Sequence, residues 1–235
     1  MDVSNSNQRI MVDYPDGDTW GCTELVCGGS GSGKSWFLKE KVKRCLDGKA
    51  KNRRDFLWVS NEYLIDTTID ELKKPKYQNN FQGIDISDSA INQSTETQGP
   101  QEYFDKIVKP AIDQMPPRSV IIIDDSMDSP IRKQMLFMIN RLLRTGRHTK
   151  RGLAYILHRI KSGLASQQAS SSCRFYVLFP RSQKGKIIDF LSDLGFTRKE
   201  ARQQVADFSD SRSRHLIVRL HAPTALINEE LLRLF

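Results

Sequence analysis

A glycine-rich segment near the amino terminus narrows the possible folds of this chain more than its length or composition does. It fits the phosphate-loop pattern G-x-x-x-x-G-K-[ST] at every fixed position and reads Gly28-Gly29-Ser30-Gly31-Ser32-Gly33-Lys34-Ser35. In this pattern backbone N–H groups close around a polyphosphate, the lysine reaches the β- and γ-phosphates, and the last hydroxyl ligates Mg²⁺. Residues 23–27 read as a buried strand and residues 35–46 as a helix whose amino terminus attracts anions. The segment therefore predicts a site for ATP and Mg²⁺ rather than a flexible turn.

A second motif ends the most strongly apolar strand of the chain. Residues 120–123 are four consecutive β-branched residues, typical of a strand covered on both faces, and Asp124 and Asp125 follow them. Because ligands of α/β sheets bind at the carboxyl ends of strands, acids at this position fit the Walker B pattern. We expect Asp124 to hold Mg²⁺ through water beside Ser35, and Asp125 to orient or deprotonate the attacking water.

The alternation of strands and helices predicts the fold class, an α/β P-loop NTPase of the ASCE or RecA-like type with a mainly parallel central sheet flanked by helices. We expect a lead-in or edge segment over residues 1–20 and a single P-loop ATPase domain over residues 21–235, with the elements from about residue 184 packed on it. If the strand at residues 55–60 inserts between the two motif strands, the fold belongs to the ATPase branch with an added strand. Beyond the motifs, the patterns predict strands at 9–12, 55–60, 153–157, 174–179 and 216–220, a surface loop at 85–101, and helices at 103–115 (interrupted at Pro110), 129–146, 186–194, 197–208 and 228–234.

Charge and composition bear on the partners of the chain. The formal net charge is +8 and the isoelectric point about 9.3, which favours a polyanionic partner, although a generally basic solvated surface gives the same balance. The first six residues are polar, without the apolar core of a signal peptide, and no apolar run is long enough to span a bilayer. We therefore expect a protein that is not secreted and has no membrane segment. Its four cysteines include no C-x-x-C pair, which argues against a zinc ribbon and fits a reducing compartment.

Basic side chains crowd into the segment after the Walker B strand, within residues 141–161. Arg147 follows Gly146, which we expect to end a helix, so Arg147 is predicted to project from a loop. An arginine placed in this way can reach the γ-phosphate held by a neighbouring subunit, which contributes roughly 10³–10⁵ to the rate in known cases. Arg144 and Arg151 are the alternatives for this role, and a solvated or DNA-contacting basic face without a catalytic part also fits. His158, at the end of the next strand, fits a phosphate sensor, a residue that positions water, or a plain surface residue.

These motifs, in this order, resemble the FtsK–HerA superfamily of DNA-pumping ATPases over about residues 20–220. The segment Thr145-Gly146-Arg147-His148, the strand end Leu157-His158 and the strand Phe175–Phe179 are closest to its viral genome-packaging branch, found in poxviruses and virophages. The resemblance implies a ring, usually hexameric, that moves double-stranded DNA into a preformed capsid using ATP. It also implies capsid vertex or shell proteins as partners, and a location in the virion or at a cytoplasmic assembly site in the host. By motif position, Lys34, Ser35, Asp124, Asp125 and Arg147 carry over. Many members have Gln where His158 stands, and the wider superfamily often has Glu in place of Asp125.

Other functions remain open on sequence alone. A cellular or conjugative DNA pump shares the same motifs. A P-loop phosphotransferase acting on a small molecule would use the basic segment as a lid over ATP, and a nucleotide-gated scaffold protein would not turn ATP over. The absence of an Asn-Lys-x-Asp motif counts against an ordinary GTPase, and the absence of Leu-Ser-Gly-Gly-Gln counts against a transporter cassette.

Overall fold

A computed structural model describes residues 23–48, 53–158, 160, 173–210, 215–220, 225–227 and 232–234. They form two compact units. The first, here called the Walker B unit, contains Ser35–Ile156 together with Thr23, and the second, the phosphate-loop unit, contains Glu24–Lys34 and the described residues from Leu157 onward. The lead-in over residues 1–20, with its strand at 9–12, lies outside the described residues, and a single domain over residues 21–235 stays a prediction.

The secondary structure alternates between strands and helices as the sequence predicts. The strands are β1 (Thr23–Cys27), β2 (Phe56–Ser60), β3 (Phe81–Asp85), β4 (Val120–Asp124), β5 (Gly152–Leu157), β6 (Phe175–Leu178), β7 (Leu216–Arg219), β8 (Ala225–Ile227) and β9 (Leu232–Leu234). The helices are α1 (Lys34–Asp47), α2 (Asp88–Gln93), α3 (Pro100–Tyr103), α4 (Lys109–Gln114), α5 (Arg132–Thr149), α6 (Pro180–Asp193) and α7 (Arg198–Asp210). None of the helices in these ranges is both long enough and apolar enough to cross a membrane.

The Walker B unit is built on a parallel sheet with the strand order β3-β2-β4-β5. All of residues 120–123 in β4 are fully buried, as four β-branched residues in a covered parallel strand should be. In the register, Ser60 at the end of β2 stands opposite Asp124 on one side and Asp85 on the other. The carboxyl ends of three strands are therefore level, and polar residues line this edge.

The phosphate-loop unit continues the α/β pattern with a change of strand direction. In this unit β1 pairs in parallel with β6, and β6 then pairs antiparallel with β7, followed by β8 and β9. Helices α6 and α7 follow β6, and α7 begins with a capping box, in which Thr197 N donates to Glu200 Oε2 over 2.8 Å and Glu200 N to Thr197 Oγ1 over 3.3 Å. A mainly parallel sheet with flanking helices confirms the predicted fold class.

The added strand differs from the conditional prediction. Residues 55–60 do not insert between the two motif strands, because the two neighbours of β2 are β3 and β4. The second neighbour of β4 is β5, which pairs with it through residues Gly152–Tyr155. Within the Walker B unit, β4 therefore lies between β2 and β5.

Two predicted elements of the Walker B unit were wrong. Part of the expected surface loop at 85–101 is ordered as the end of β3 and as α2, which Ser87 caps by accepting a hydrogen bond from Ala90 N over 3.2 Å. The expected break at Pro110 is absent, because a π-helical turn at Phe104–Val108 joins α3 to α4 and absorbs the proline.

Helix α5 also runs further than predicted. Its apolar face is buried as expected, but the helix continues through Gly146 to Thr149 and ends at Lys150, whose φ of 55° is left-handed. A Cβ on Gly146 would lie 3.0 Å from Arg151 O, so this glycine serves a close approach of the chain after the helix. The backbone of Arg147 therefore lies in the last turn of a helix and not in a loop.

Two further boundaries in the phosphate-loop unit differ from prediction. Helix α6 begins with a turn at Pro180, six residues before the expected start, since proline suits a first turn directly after a strand, but the non-helical Gln183 separates this turn from the regular helix that follows. The closing helix at residues 228–234 is wrong, because residues 232–234 form β9, paired antiparallel with β8. Cross-strand pairing overrides the local helical pattern there.

Candidate nucleotide-binding site

The phosphate loop connects β1 to α1 and is shaped by its glycines. Gly31 and Gly33 have φ of 68° and 99°, a left-handed backbone that other residues adopt at a cost. A Cβ on Gly28 would lie 2.5 Å from Ser32 Oγ and 3.1 Å from Phe179 Cβ. The loop thus closes on itself too tightly for side chains at this position, and it forms the backbone cradle that the pattern predicts.

Two polar side chains inside the loop fit an anionic ligand. Lys34 is only 6% exposed, and its Nζ donates to Gly29 O over 2.9 Å. Ser32 Oγ is buried and has no hydrogen-bond partner within the described part of the chain. A buried ammonium beside a buried hydroxyl that can still accept or donate a hydrogen bond gives the loop the composition of a phosphate cradle.

The thiol at the end of β1 does not add charge to this region. Burial raises the pKa of Cys27 to about 12, and the nearby Lys34 ammonium opposes this only in part. Cys27 therefore stays a neutral, buried thiol at physiological pH and has neither nucleophilic nor ligand character.

In the Walker B unit the two sequence motifs meet. Ser35, the second residue of α1, donates from Oγ to Asp124 Oδ2 over 3.2 Å, although the two residues are 89 positions apart. Asp124 is 6% exposed. A hydroxyl and a carboxylate are the hard oxygen donors that Mg²⁺ prefers, so these two side chains fit the predicted metal position.

Asp125 follows in an unusual backbone conformation. Its φ of 48° and ψ of 37° are left-handed, and it starts the short turn Ser126–Asp128. The turn ends at Ser129, whose Oγ donates to Ile86 O over 2.6 Å and accepts from Ile131 N over 3.3 Å. A non-glycine residue in this region carries strain, which is common where a side chain is aimed at a reacting group. The role of Asp125 toward water stays a prediction.

Arg144, Arg151 and His158 differ in their surroundings. Arg144 is exposed on α5, whereas Arg151 donates from Nη2 to Asp113 O over 2.9 Å and so is tied to the end of α4. His158 follows β5, and its carbonyl oxygen accepts a hydrogen bond from Gln183 Nε2. The trans-acting role of Arg147, Arg144 or Arg151 and the sensor role of His158 stay predictions.

Sequence reasoning missed two residues next to the predicted site. In the phosphate-loop unit, Gly29 N donates to Ser182 Oγ over 3.1 Å, and Gln183 bonds the chain on both sides of residue 159. No motif marks either residue, and Ser182 is 153 positions from its partner. Only the packing of α6 against the phosphate loop reveals them.

Comparison with known proteins gives relatives in structure but not in sequence. No protein-family model matches the chain, and no curated protein matches it. The DNA-packaging ATPase B204 of Sulfolobus turreted icosahedral virus is similar with a TM-score of 0.51 at 13% identity, over 92% of this chain and 97% of that chain. The pCW3 conjugation coupling protein TcpA, in its monomer form with ATPγS, gives 0.52 at 16% identity, over 89% of this chain and 60% of that chain. A KaiC-like protein from Pyrococcus horikoshii OT3 gives 0.47 at 10% identity, over 92% and 90%.

At these identities the similarity reports on the fold. B204 and TcpA match this chain, with its mainly parallel sheet and flanking helices, over 92% and 89% of its length. The chain therefore has the P-loop NTPase fold, as predicted.

Proposed function

We propose that this chain is an ATPase that uses ATP hydrolysis to translocate double-stranded DNA, and that it packages DNA into a preformed viral capsid. The observation that carries the ATPase part is the contact of Ser35 Oγ with Asp124 Oδ2, because it joins the phosphate loop to the acid at the end of β4. The glycine cradle and the buried Lys34 support the same conclusion.

Each residue of the site has a distinct task in this proposal. Backbone N–H groups of residues 28–35 and the Lys34 ammonium bind the β- and γ-phosphates. Ser35 and Asp124 would hold Mg²⁺, which neutralises charge on the phosphates when bound. Asp125 orients the attacking water or accepts its proton, and His158 senses the γ-phosphate.

The charge distribution supports DNA as the partner. Residues 129–188 contain 13 Lys and Arg residues and no Asp or Glu, so the rest of the chain is net negative. Within this span, α5 carries no acid, and its Lys133, Arg144 and His148 are exposed. A concentrated positive region of this kind suits the phosphate backbone of a duplex, because neutralised phosphates release counterions.

The assembly and location belong to the proposal as well. In a hexameric ring, an arginine of one subunit completes the ATP site of the next subunit, and Arg147 is the first candidate for this role. Hydrolysis in neighbouring subunits is then coupled. Capsid vertex or shell proteins are the proposed docking partners, at a cytoplasmic assembly site or in the virion. The likeness to B204, a DNA-packaging ATPase, supports the packaging role.

One observation favours a second candidate, a conjugative DNA pump. TcpA, a conjugation coupling protein, is as similar in structure as B204. Both candidates require hydrolysis stimulated by duplex DNA. They differ in the partner, because packaging requires binding to a capsid protein, whereas a conjugative pump requires binding to the DNA-processing complex of a plasmid.

The test is phosphate release from ATP, with and without duplex DNA, by the native chain and by Lys34→Ala. We expect DNA to raise the native rate and the variant to lose nearly all activity, because the ammonium at the β- and γ-phosphates is gone. An equal rate of ATP hydrolysis with and without DNA would contradict the proposed role as a DNA motor. Phosphate transfer from ATP to a nucleoside, without DNA stimulation, would instead identify a phosphotransferase.

A mixing experiment tests the proposed arginine. If Arg147 completes the site of a neighbouring subunit, Arg147→Ala added to native protein lowers the activity by more than dilution, since each variant disables an adjacent site. Lys150→Ala, three residues away, is the matched control. Loss in simple proportion to the variant fraction would exclude Arg147 from this role, and the same mixture with Arg144→Ala then tests the next candidate.

A further inference from the structure

We propose that Ser182 and Gln183, consecutive residues in the first turn of α6, are positioning residues that hold the phosphate loop and the chain after β5 together for nucleotide binding. The inference rests on the proposed ATPase function and deepens it. Neither residue is part of a motif, and neither is placed here in contact with the nucleotide. Their effect is on the geometry of residues that are.

Ser182 fixes the backbone of the phosphate loop at Gly29. Its Oγ accepts a hydrogen bond from Gly29 N over 3.1 Å and donates its own proton to Phe179 O over 3.0 Å. The hydroxyl is therefore oriented by one partner to receive the other. Gly29 O, on the other side of the same residue, accepts from Lys34 Nζ over 2.9 Å. Gly29 therefore has hydrogen bonds at both its N–H and its carbonyl group, and among the described residues the partner from outside the loop is Ser182.

Gln183 does the same for the chain that follows β5. Its Nε2 donates to His158 O, and its Oε1 accepts from Ile160 N over 3.4 Å. The side-chain amide thus bonds backbone groups on either side of residue 159. Because Leu157 O accepts a hydrogen bond from Gly28 N over 3.1 Å, the end of β5 is also tied directly to the loop.

The backbone of α6 is kinked at Gln183, between the two contacts and the regular helix. Gln183 has φ of −143° and ψ of 41°, which is not helical, although it lies inside the helix. This kink separates the first turn, with Pro180 and Ser182, from the regular helix that follows. A kink in a helix needs a cause, and here the two side chains of the turn are drawn to different backbone partners. The first turn of α6 therefore acts as a clamp on two segments rather than as the start of a helix.

Pre-organisation of the loop predicts an effect on affinity rather than on chemistry. A hydrogen bond of this kind, at an exposed position, changes an equilibrium by about two- to fivefold when it is lost. We expect Ser182→Ala to raise the KM for ATP by about this factor and to leave kcat unchanged. Ser182→Thr keeps the hydroxyl and should restore the native KM. Gln183→Ala should also raise KM, and the double variant should cost less than the two separate effects combined, because one turn holds both contacts.

The matched controls come from the same helix pair. Ser192 lies on α6 and donates to Ile188 O over 2.9 Å, and Gln203 on α7 donates to Asp207 Oδ1 over 2.7 Å. Neither bonds the loop, so Ser192→Ala and Gln203→Ala should leave KM unchanged. Amide hydrogen exchange at Gly29 gives a second readout, since it should be faster in Ser182→Ala than in the native chain or in Ser192→Ala.

The outcomes separate this inference from the proposed function. If the native chain does not bind or hydrolyse ATP, the proposed function fails. If the native chain is active and Ser182→Ala matches Ser192→Ala in both KM and Gly29 exchange, the clamp is wrong and the ATPase stands. A fall in kcat with unchanged KM would also overturn the clamp, because it would place Ser182 in the chemistry instead.

Discussion

The carboxyl ends of β3 and β4 carry aspartates in equivalent positions, but the structure uses them differently. Asp85 and Asp124 are 9% and 6% exposed, and both stand level with Ser60 of the strand between them. Asp85 accepts hydrogen bonds from Leu64 N over 2.9 Å and Ser87 N over 2.8 Å, so the backbone of two loops satisfies it. Asp124 instead faces the hydroxyl of Ser35, the last residue of the phosphate loop.

The difference shows that a buried acid at a strand end is not by itself a metal ligand. Two backbone N–H groups donate hydrogen bonds to Asp85 in a fixed geometry, so its charge stabilises the two loops. A hydroxyl facing Asp124 can instead share a hard cation with it. The group that contacts the carboxylate decides its role: backbone N–H groups contact Asp85, and the Ser35 hydroxyl contacts Asp124.

Among the predicted effects of replacing these residues, the loss of ATP hydrolysis in an Asp124 variant should be the largest. Asp124→Asn keeps the shape but removes the charge that would hold Mg²⁺, so we expect ATP hydrolysis to fall by roughly 10²–10³-fold, in line with the loss of a main electrostatic group. Phosphate release at saturating ATP measures it. Asp128→Asn, at an exposed position four residues later, is the control and should retain native activity. Activity within tenfold of native in Asp124→Asn would show that the end of β4 holds no essential metal.

Replacing Asp85 should act on stability instead. Asp85→Ala removes two charge-assisted hydrogen bonds from part-buried backbone N–H groups to a buried carboxylate, and we expect a loss of roughly 2–4 kcal/mol in the free energy of unfolding. Urea unfolding measures the loss, and the fraction that stays folded should hydrolyse ATP at the native rate. The exposed Asp88 supplies the control, Asp88→Ala. If Asp85→Ala instead abolished hydrolysis with unchanged stability, the two aspartates would share one function.

A smaller change near Asp85 tests the cap of α2. Ser87→Ala removes the cap at Ala90 N and an exposed contact of Ser87 Oγ with Ser89 Oγ, while Ser87 N still donates to the carboxylate. Because the contact with Ser89 is exposed, the lost cap sets the effect, and the free energy of unfolding should fall by about 0.5–1 kcal/mol. The same urea titration measures it. A loss as large as that of Asp85→Ala would mean that the loop is held by the serine and not by the aspartate.

The sequence predicted the place of Asp124 beside Ser35, but it did not predict β3 or the role of Asp85 at its end. Lys34, Ser35 and Asp124 could be predicted because phosphate chemistry demands fixed residue types at fixed local spacing. Asp85 lies in a polar stretch that is typical of a loop, and β3 exists because β2 offers it a parallel partner. Ser182 and Gln183 were missed for the same reason, since their partners lie 153 and 25 positions away. Gly146 correctly marked a position where the chain needs a glycine. The reason is the close approach of Arg151 O, and not the end of a helix at this residue.

The proposed ATPase activity depends on a nucleotide bound by the phosphate loop together with Mg²⁺ bound by Ser35 and Asp124. Equilibrium binding of ATP, measured with and without Mg²⁺ for the native chain and Asp124→Asn, tests this. We expect Mg²⁺ to tighten ATP binding by the native chain and to have little effect on the variant, while Mg²⁺-free ATP binds both alike. Absence of ATP binding by the native chain, or an equal increase in ATP affinity on adding Mg²⁺ to both proteins, would contradict the proposed site.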